Sequence, residues 1–254
     1  MLVNTIRAEF TKLTTTASFR WTTGLFFVFS LLWAFFTTRL TSLFDGAPAV
    51  ASASIVVSGL LWLNLSVLMI QAIMVITTEY RYSLPTPLYL ANPHRAQVAV
   101  AKLVLYAVIA AILMFIGIVA CLGLAQLMAD EVVGFDNIFA DPVAQRALWA
   151  YPAGTALMVV FAQGLALLLR QSAGTLAVGL LLVWGVDNLI QFVPKVGEKL
   201  MNFSPFNALR SWLTDTAGSW SVFADNSHWY HVVFVLWAAI LWLGGVAALV
   251  KRDV

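Results

Sequence analysis

Six stretches of the chain are almost free of polar side chains, and short segments rich in Thr, Pro, Asn and charge separate them. They run over roughly 22–38, 55–76, 103–128, 148–169, 173–193 and 230–250. None shows the two-residue alternation of a half-buried strand, and each approaches or exceeds the ~20 residues that an apolar helix needs to cross a bilayer. The first is the shortest and is dotted with Thr and Ser. Residues 47–53, "APAVASA", have the small side chains of a signal-peptidase site, but a polar head of about 20 residues containing Glu9 precedes the run, which reads instead as a retained span.

Ahead of the first span, Leu2, Ile6, Phe10 and Leu13 recur at helical spacing, while Arg7, Glu9 and Lys12 fall elsewhere on the wheel. This predicts an amphipathic helix over 1–20, lying in the membrane interface with its charges toward water. Residues 194–228 mix Phe and Trp with polar side chains and predict one or two short interfacial helices, broken at Pro205. The expected fold is an all-α membrane protein, one domain spanning 1–254, with six transmembrane helices.

Composition agrees with this pattern. The chain has 254 residues, 61% of them hydrophobic and 10% charged, with a mean hydropathy of +0.90. An average soluble domain is about 25% charged. The net charge of +2 comes from scattered residues, so no nucleic acid is expected as a partner. The single Cys121 sits in an apolar run and excludes an intrachain disulfide.

Charge also sets the expected orientation. With the N-terminus in the cytoplasm, Arg7, Lys12, Arg20, Arg81, Arg95, Lys102, Arg170, Lys251 and Arg252 lie inside. Arg39, Arg146, Lys195, Lys199 and Arg210 lie outside. Basic residues favour the cytoplasmic side, so both termini are predicted there.

The most punctuated segment, "ITTEYRYSLPTPLYLANPHRAQVAVAKL" (76–103), then forms a cytoplasmic loop. Thr86-Pro87 is a helix start, a hydroxyl cap followed by proline at the first helical position. Leu88 and Leu90 fall in the turn that follows, and Asn92-Pro93 opens a second helix that runs through Lys102 into the third span. Glu79, Arg81 and Arg95 are its exposed charges. A short helix, a corner and a long helix make a stiff docking surface.

Within the spans, Asp187 is the one acid in an apolar core, and ionisable groups at that depth suggest function. Asn64 and Gln71 share a face of the second span, and Gln163 lies mid-way along the fourth. These four are candidate substrate-pathway residues, with tying helices together the competing role for the amides. Asp225, His228 and His231 recur every three residues at the start of the last span. A turn of interfacial polar residues explains them better than Zn²⁺, and His94 lies on the other side, so no metal is expected.

The run "TEYRYS…LANPHRAQVAVAKL" resembles the first cytoplasmic loop of ABC-2-type exporter permeases of actinobacterial type, with Glu79, Tyr80, Arg81, Pro93, Arg95 and Lys102 at the matching positions. "LLLRQSAGTLAV" (167–178) is similar to the family's inner turn between spans four and five, and "FSPFNALRS" (203–211) more weakly to its last outer loop. In place of the family's small residue and Thr after Glu-Tyr-Arg, this chain has Tyr82-Ser83-Leu84, with Pro85 and Pro87 added.

The resemblance implies a permease in the plasma (inner) membrane, paired with a second permease subunit and driven by a separate nucleotide-binding ATPase. The cytoplasmic coupling helix would dock on that ATPase through Glu79, Tyr80, Arg81, Leu88, Leu90, Pro93 and Arg95. ATP and Mg²⁺ belong to the partner, since this chain has no G-x-x-x-x-G-K-[ST] phosphate loop and is expected to bind no cofactor. The cargo expected is a hydrophobic or amphipathic drug, lipid or lipopeptide. The alternatives are a membrane-embedded lipid-processing enzyme and a non-transporting sensor or immunity protein. The sequence has no H-E-x-x-H or G-x-S-x-G motif.

Overall fold

A computed structural model describes residues 2–45, 48–81, 95–133, 137, 139, 141–186, 189–193, 196–216 and 228–251. Among these, helices dominate. Helix α1 (Leu2–Thr15) leads into α2 (Ala17–Asp45). Helix α3 comprises Ala53–Gly59 and Leu65–Arg81, joined through a π-helical turn at Leu60–Asn64. Helix α4 is Arg95–Met128, α5 Pro142–Leu169 and α6 Ser172–Leu181, which runs on into a second π turn at Leu182–Val186. Two shorter helices, α7 (Gly197–Met201) and α8 (Pro205–Thr214), precede α9 (His228–Lys251).

Five helical stretches are long and apolar enough to cross a membrane: Ala17–Leu40, Ala53–Tyr80, Arg95–Met128, Pro142–Leu169 and Trp229–Lys251. Residues Ser172–Trp184, where a sixth span is expected, form a shorter apolar helix, and Asp187 lies just beyond, outside the described residues. Helices α3 and α5 occupy the middle of the bundle. Helices α2, α4 and α9 flank them and turn Leu, Val, Ile and Phe outward, as lipid-facing helices do.

Small residues set the closest crossings. A Cβ on Gly164 of α5 would lie 2.5 Å from the backbone nitrogen of Trp242 in α9, and one on Gly245 would lie 2.8 Å from the Gly164 carbonyl oxygen. In a bilayer, where burying apolar surface gives helices no advantage over lipid, such backbone approach is a main source of attraction. Gly59 immediately precedes the π turn in α3, and its missing side chain makes room for the Trp33 ring.

One end of the bundle holds the start of α2, the ends of α3, α5 and α9, and the starts of α4 and α6. The opposite end carries a parallel pair of three-residue strands, β1 (Val50–Ser52) and β2 (Glu131–Val133), with Val50 opposite Glu131. Helix α8 packs there over α5 at Gly154, where an added Cβ would meet Leu213 at 2.7 Å. Pro205 opens α8 and Asp215, at φ 55°, ends it. Arg146 of α5 donates to the Trp212 carbonyl in the last turn of α8 at 2.6 Å and pairs with Asp215 at 3.2 Å. A cation at a helix C-terminus satisfies carbonyls that have no partner within the helix and suits its dipole.

Candidate functional site: a buried ionic cluster at the loop end

Four charges from three helices meet near the end of α3 and the start of α4. Glu79 is in the last turn of α3, Lys102 two turns into α4, and Glu9 and Lys12 one turn apart on α1. The Lys102 Nζ donates to Glu9 Oε2 at 2.6 Å and to Glu79 Oε1 at 2.7 Å. The Lys12 Nζ donates to Glu9 Oε1 at 2.9 Å and to the same Glu79 oxygen at 2.7 Å. Two acids and two amines alternate, so the cluster is formally neutral. Glu9, Glu79 and Lys102 are each at most 6% exposed, and Lys12 alone reaches solvent.

Isolated charges this deep would be costly to desolvate, and only mutual pairing makes their burial tolerable. For Glu9, burial pushes the carboxyl pKa up. The Lys102 charge and hydrogen bond, joined by those of Lys12, outweigh burial and hold the pKa below the usual carboxylate value. Burial pushes the Lys12 amine down, but bonding to Glu79 and then Glu9 reverses this and raises it. Both groups stay ionised through the neutral range.

The cluster corrects two expectations. Glu79 is a buried strut between α3, α4 and α1 rather than an exposed charge of the loop. Glu9 faces the bundle rather than water, while Phe10, a member of the predicted apolar stripe, is 48% exposed. Glu9 is buried on the inward side of α1, with Thr5, Ile6 and Leu13 half-buried beside it, so the inward stripe is rotated slightly from the apolar one. Lys102 carried the clearest signal, since a lysine inside "VAVAKLVLY" needs a buried partner. Its link to Glu9 crosses 93 residues and is invisible to local pattern.

Other cations brace the same end. Residue Arg170 sits at φ 53°, a conformation that costs a non-glycine residue about 1–2 kcal/mol. It caps α5 there, donates to the Ala248 carbonyl at 3.2 Å and places its guanidinium 5.3 Å from the centre of the Tyr80 ring. Arg95 donates to Leu249 at 3.4 Å. Both hold carbonyls of the last turn of α9, which α-helical geometry leaves open. Of the expected coupling residues, Glu79, Tyr80 and Arg95 thus lie at the same end of the bundle, each in a different helix contact. Arg81 ends α3, and Leu88, Leu90 and Pro93 lie outside the described residues.

The span amides sit in helix contacts. The Asn64 amide donates to the Phe26 carbonyl at 2.8 Å and to Ser30 Oγ at 2.6 Å, tying α3 to α2. Gln71 joins three helices, donating to Thr22 Oγ1 at 2.6 Å and accepting from the Tyr106 hydroxyl at 2.6 Å. Gln163 is fully buried, and its amide reaches the Lys102 carbonyl at 3.5 Å. The three do not converge on one space. His231 packs against the Trp212 ring, with centroids 5.8 Å apart, and Asp225 lies outside the described residues.

No protein-family model matches the chain, and no curated protein does.

At the opposite end lies one further contact that no local sequence pattern announces. The Arg210 guanidinium of α8 lies 3.8 Å from the centre of the ring of Trp62, within the π turn of α3, and donates to the Val183 carbonyl at 3.4 Å in the π turn after α6. Stacking of this kind on Trp is favourable wherever the cation loses water.

Proposed function

We propose that this chain is the membrane-spanning permease subunit of an ATP-driven exporter, powered by a nucleotide-binding ATPase on a separate polypeptide. The observation that carries the reading is the ionic cluster at the base of the 76–103 segment. A push on that segment is useful only if the helices on both sides of it move together. Lys102 and Glu79 join those two helices directly, and Glu9 and Lys12 fasten α1 to both. Hydrogen-bonded charges sealed from water resist shear far better than apolar side chains sliding past one another. Helices α1, α3 and α4 therefore form one lever, and Gln163 links that lever to the central helix α5.

The resemblance of the Glu79-Tyr80-Arg81 and Pro93–Lys102 runs to ABC-2-type permeases supports the same reading, as do the long apolar helices. On this reading the 173–193 segment completes six spans, α1 lies at the inner interface, and both termini face the cytoplasm. A second permease subunit completes the pathway. Transport is an alternation between two packings of the helices, and cargo is hydrophobic or amphipathic. The test is to tag this chain, extract it from its native membrane in mild detergent and identify what accompanies it. A nucleotide-binding ATPase chain is expected, and Arg81→Glu should release it while the permease stays in the membrane. Recovery of no such ATPase overturns the proposal.

A further inference from the structure

Beside the ionic cluster lies a cavity of about 80 Å³ between α1, α2 and α3. Its walls differ in chemistry from one region to the next. Leu13, Phe19, Met74 and Val75 supply an apolar surface, and Glu9, Lys12 and Glu79 supply a charged edge. Two hydrogen-bonding positions on that edge are not taken up by the cluster itself. Glu79, only 6% exposed, accepts from both lysines through the same oxygen, Oε1, so neither lysine bonds its Oε2. The Lys12 ammonium has three donors and gives two of them to Glu9 and Glu79, and its side chain is 45% exposed. A nearly buried carboxylate, with one oxygen that neither lysine bonds, and a half-exposed ammonium therefore stand side by side next to an apolar wall.

We propose that this cavity binds a zwitterionic phospholipid whose headgroup carries a primary ammonium, a phosphoethanolamine lipid of the inner leaflet. The ammonium donates to Glu79 Oε2, the phosphate accepts from Lys12, and an acyl chain lies along Phe19, Met74 and Val75. A purely anionic headgroup would satisfy Lys12 and bring a second negative charge against Glu79. A trimethylammonium headgroup has no N–H to offer the carboxylate. The lipid fills the space behind α1 and stiffens the lever at the membrane surface. The inference rests on the membrane reading of α2 and α3 and not on the ATPase, so it stands or falls separately.

The experiment is native mass spectrometry of the full chain in detergent, titrated with dioleoyl phosphatidylethanolamine, phosphatidylcholine or phosphatidylglycerol. Phosphatidylethanolamine should be retained about tenfold better than either, the scale of one hydrogen bond to a charged group. The Val75→Trp variant fills the cavity without touching the four charges and should lose that retention with its helical circular dichroism unchanged. The Glu79→Gln variant should bind the ethanolamine and choline lipids alike. Equal retention of all three lipids by the wild-type chain overturns the assignment, and so does undiminished binding by Val75→Trp. Full displacement by soluble glycerophosphoethanolamine would show a headgroup site rather than a lipid site and would equally overturn it.

Discussion

Replacing Lys102 with Met removes one amine from the cluster and nothing else of similar size. Glu9 loses its 2.6 Å partner and Glu79 one of its two donors, so two buried carboxylates are left to share Lys12. Removing one partner of a buried ion pair typically costs about 3–5 kcal/mol, because the remaining charge stays desolvated. All three groups at the centre are nearly inaccessible, so solvent screening offers little relief. For a chain of this size each kcal/mol moves the midpoint of thermal unfolding by about 2–4 °C, so Lys102→Met should lower it by about 6–20 °C. The assay is thermal unfolding of the detergent-purified chain, followed by circular dichroism and by loss of the monodisperse peak. A second variant isolates the cause. Adding Glu79→Gln removes the excess negative charge, and the pair should cost about 0.5–3 kcal/mol less than the sum of the two single changes. A midpoint for Lys102→Met within about 2 °C of wild type, or strict additivity in the double variant, would refute the claim that the four charges act as one unit.

The pH dependence follows from the directions of the shifts. Glu9 has a folded pKa below its unfolded value, so its contribution is complete above the unfolded value of 4.5 and fades as pH falls through the folded one. Lys12 is raised above 10.5, so its contribution is complete below that value and lost as pH rises through the folded one. Unfolding midpoints of the purified chain should therefore be flat between these limits, and Glu9→Gln should flatten the acid limb selectively. Gly164→Ala should destabilise by about 1–3 kcal/mol, because its new methyl meets the α9 backbone rather than a yielding side chain, whereas Gly123→Ala, with nothing within 4 Å, should be neutral or better; unfolding midpoints distinguish the two. In a Cys121→Ala background, Thr11→Cys should react with a membrane-impermeant maleimide only in opened or inverted membranes. Labelling in intact cells would place α1 on the wrong side.

Much of the architecture was legible because a bilayer demands it. Long apolar runs have few alternatives to helices in lipid, and α2 to α5 and α9 follow the runs closely. The segment after Ser172 was harder. Its apolar residues continue past Leu181, but the helix turns π-helical at Leu182 and short 3₁₀ structure appears at Ile190–Phe192. Hydropathy registers apolar character without registering that change of helical type. The strands at Val50 and Glu131 were unreadable, since three residues give no period and their pairing joins positions about 80 apart.

The site divided in the same way. Glu79 and Lys102 were each singled out, one just past the inner end of the second span and one at the head of the third. Their junction depends on α1, whose apolar stripe implied that its charges face water. Glu9 borders that stripe, so a modest rotation about the helix axis decides whether it meets water or Lys102. Packing settles that rotation, and local spacing does not contain it.

The central claim is the proposal that ATP energy released on another chain enters this bundle at the end that holds the ionic cluster. ATP turnover by the detergent-purified assembly, compared between the wild-type chain and Arg81→Glu, tests it most directly. The account predicts turnover in the wild-type preparation that is lost or no longer responsive in Arg81→Glu, with the variant still in the membrane. A wild-type preparation without turnover, or an Arg81→Glu assembly indistinguishable from wild type, would contradict it.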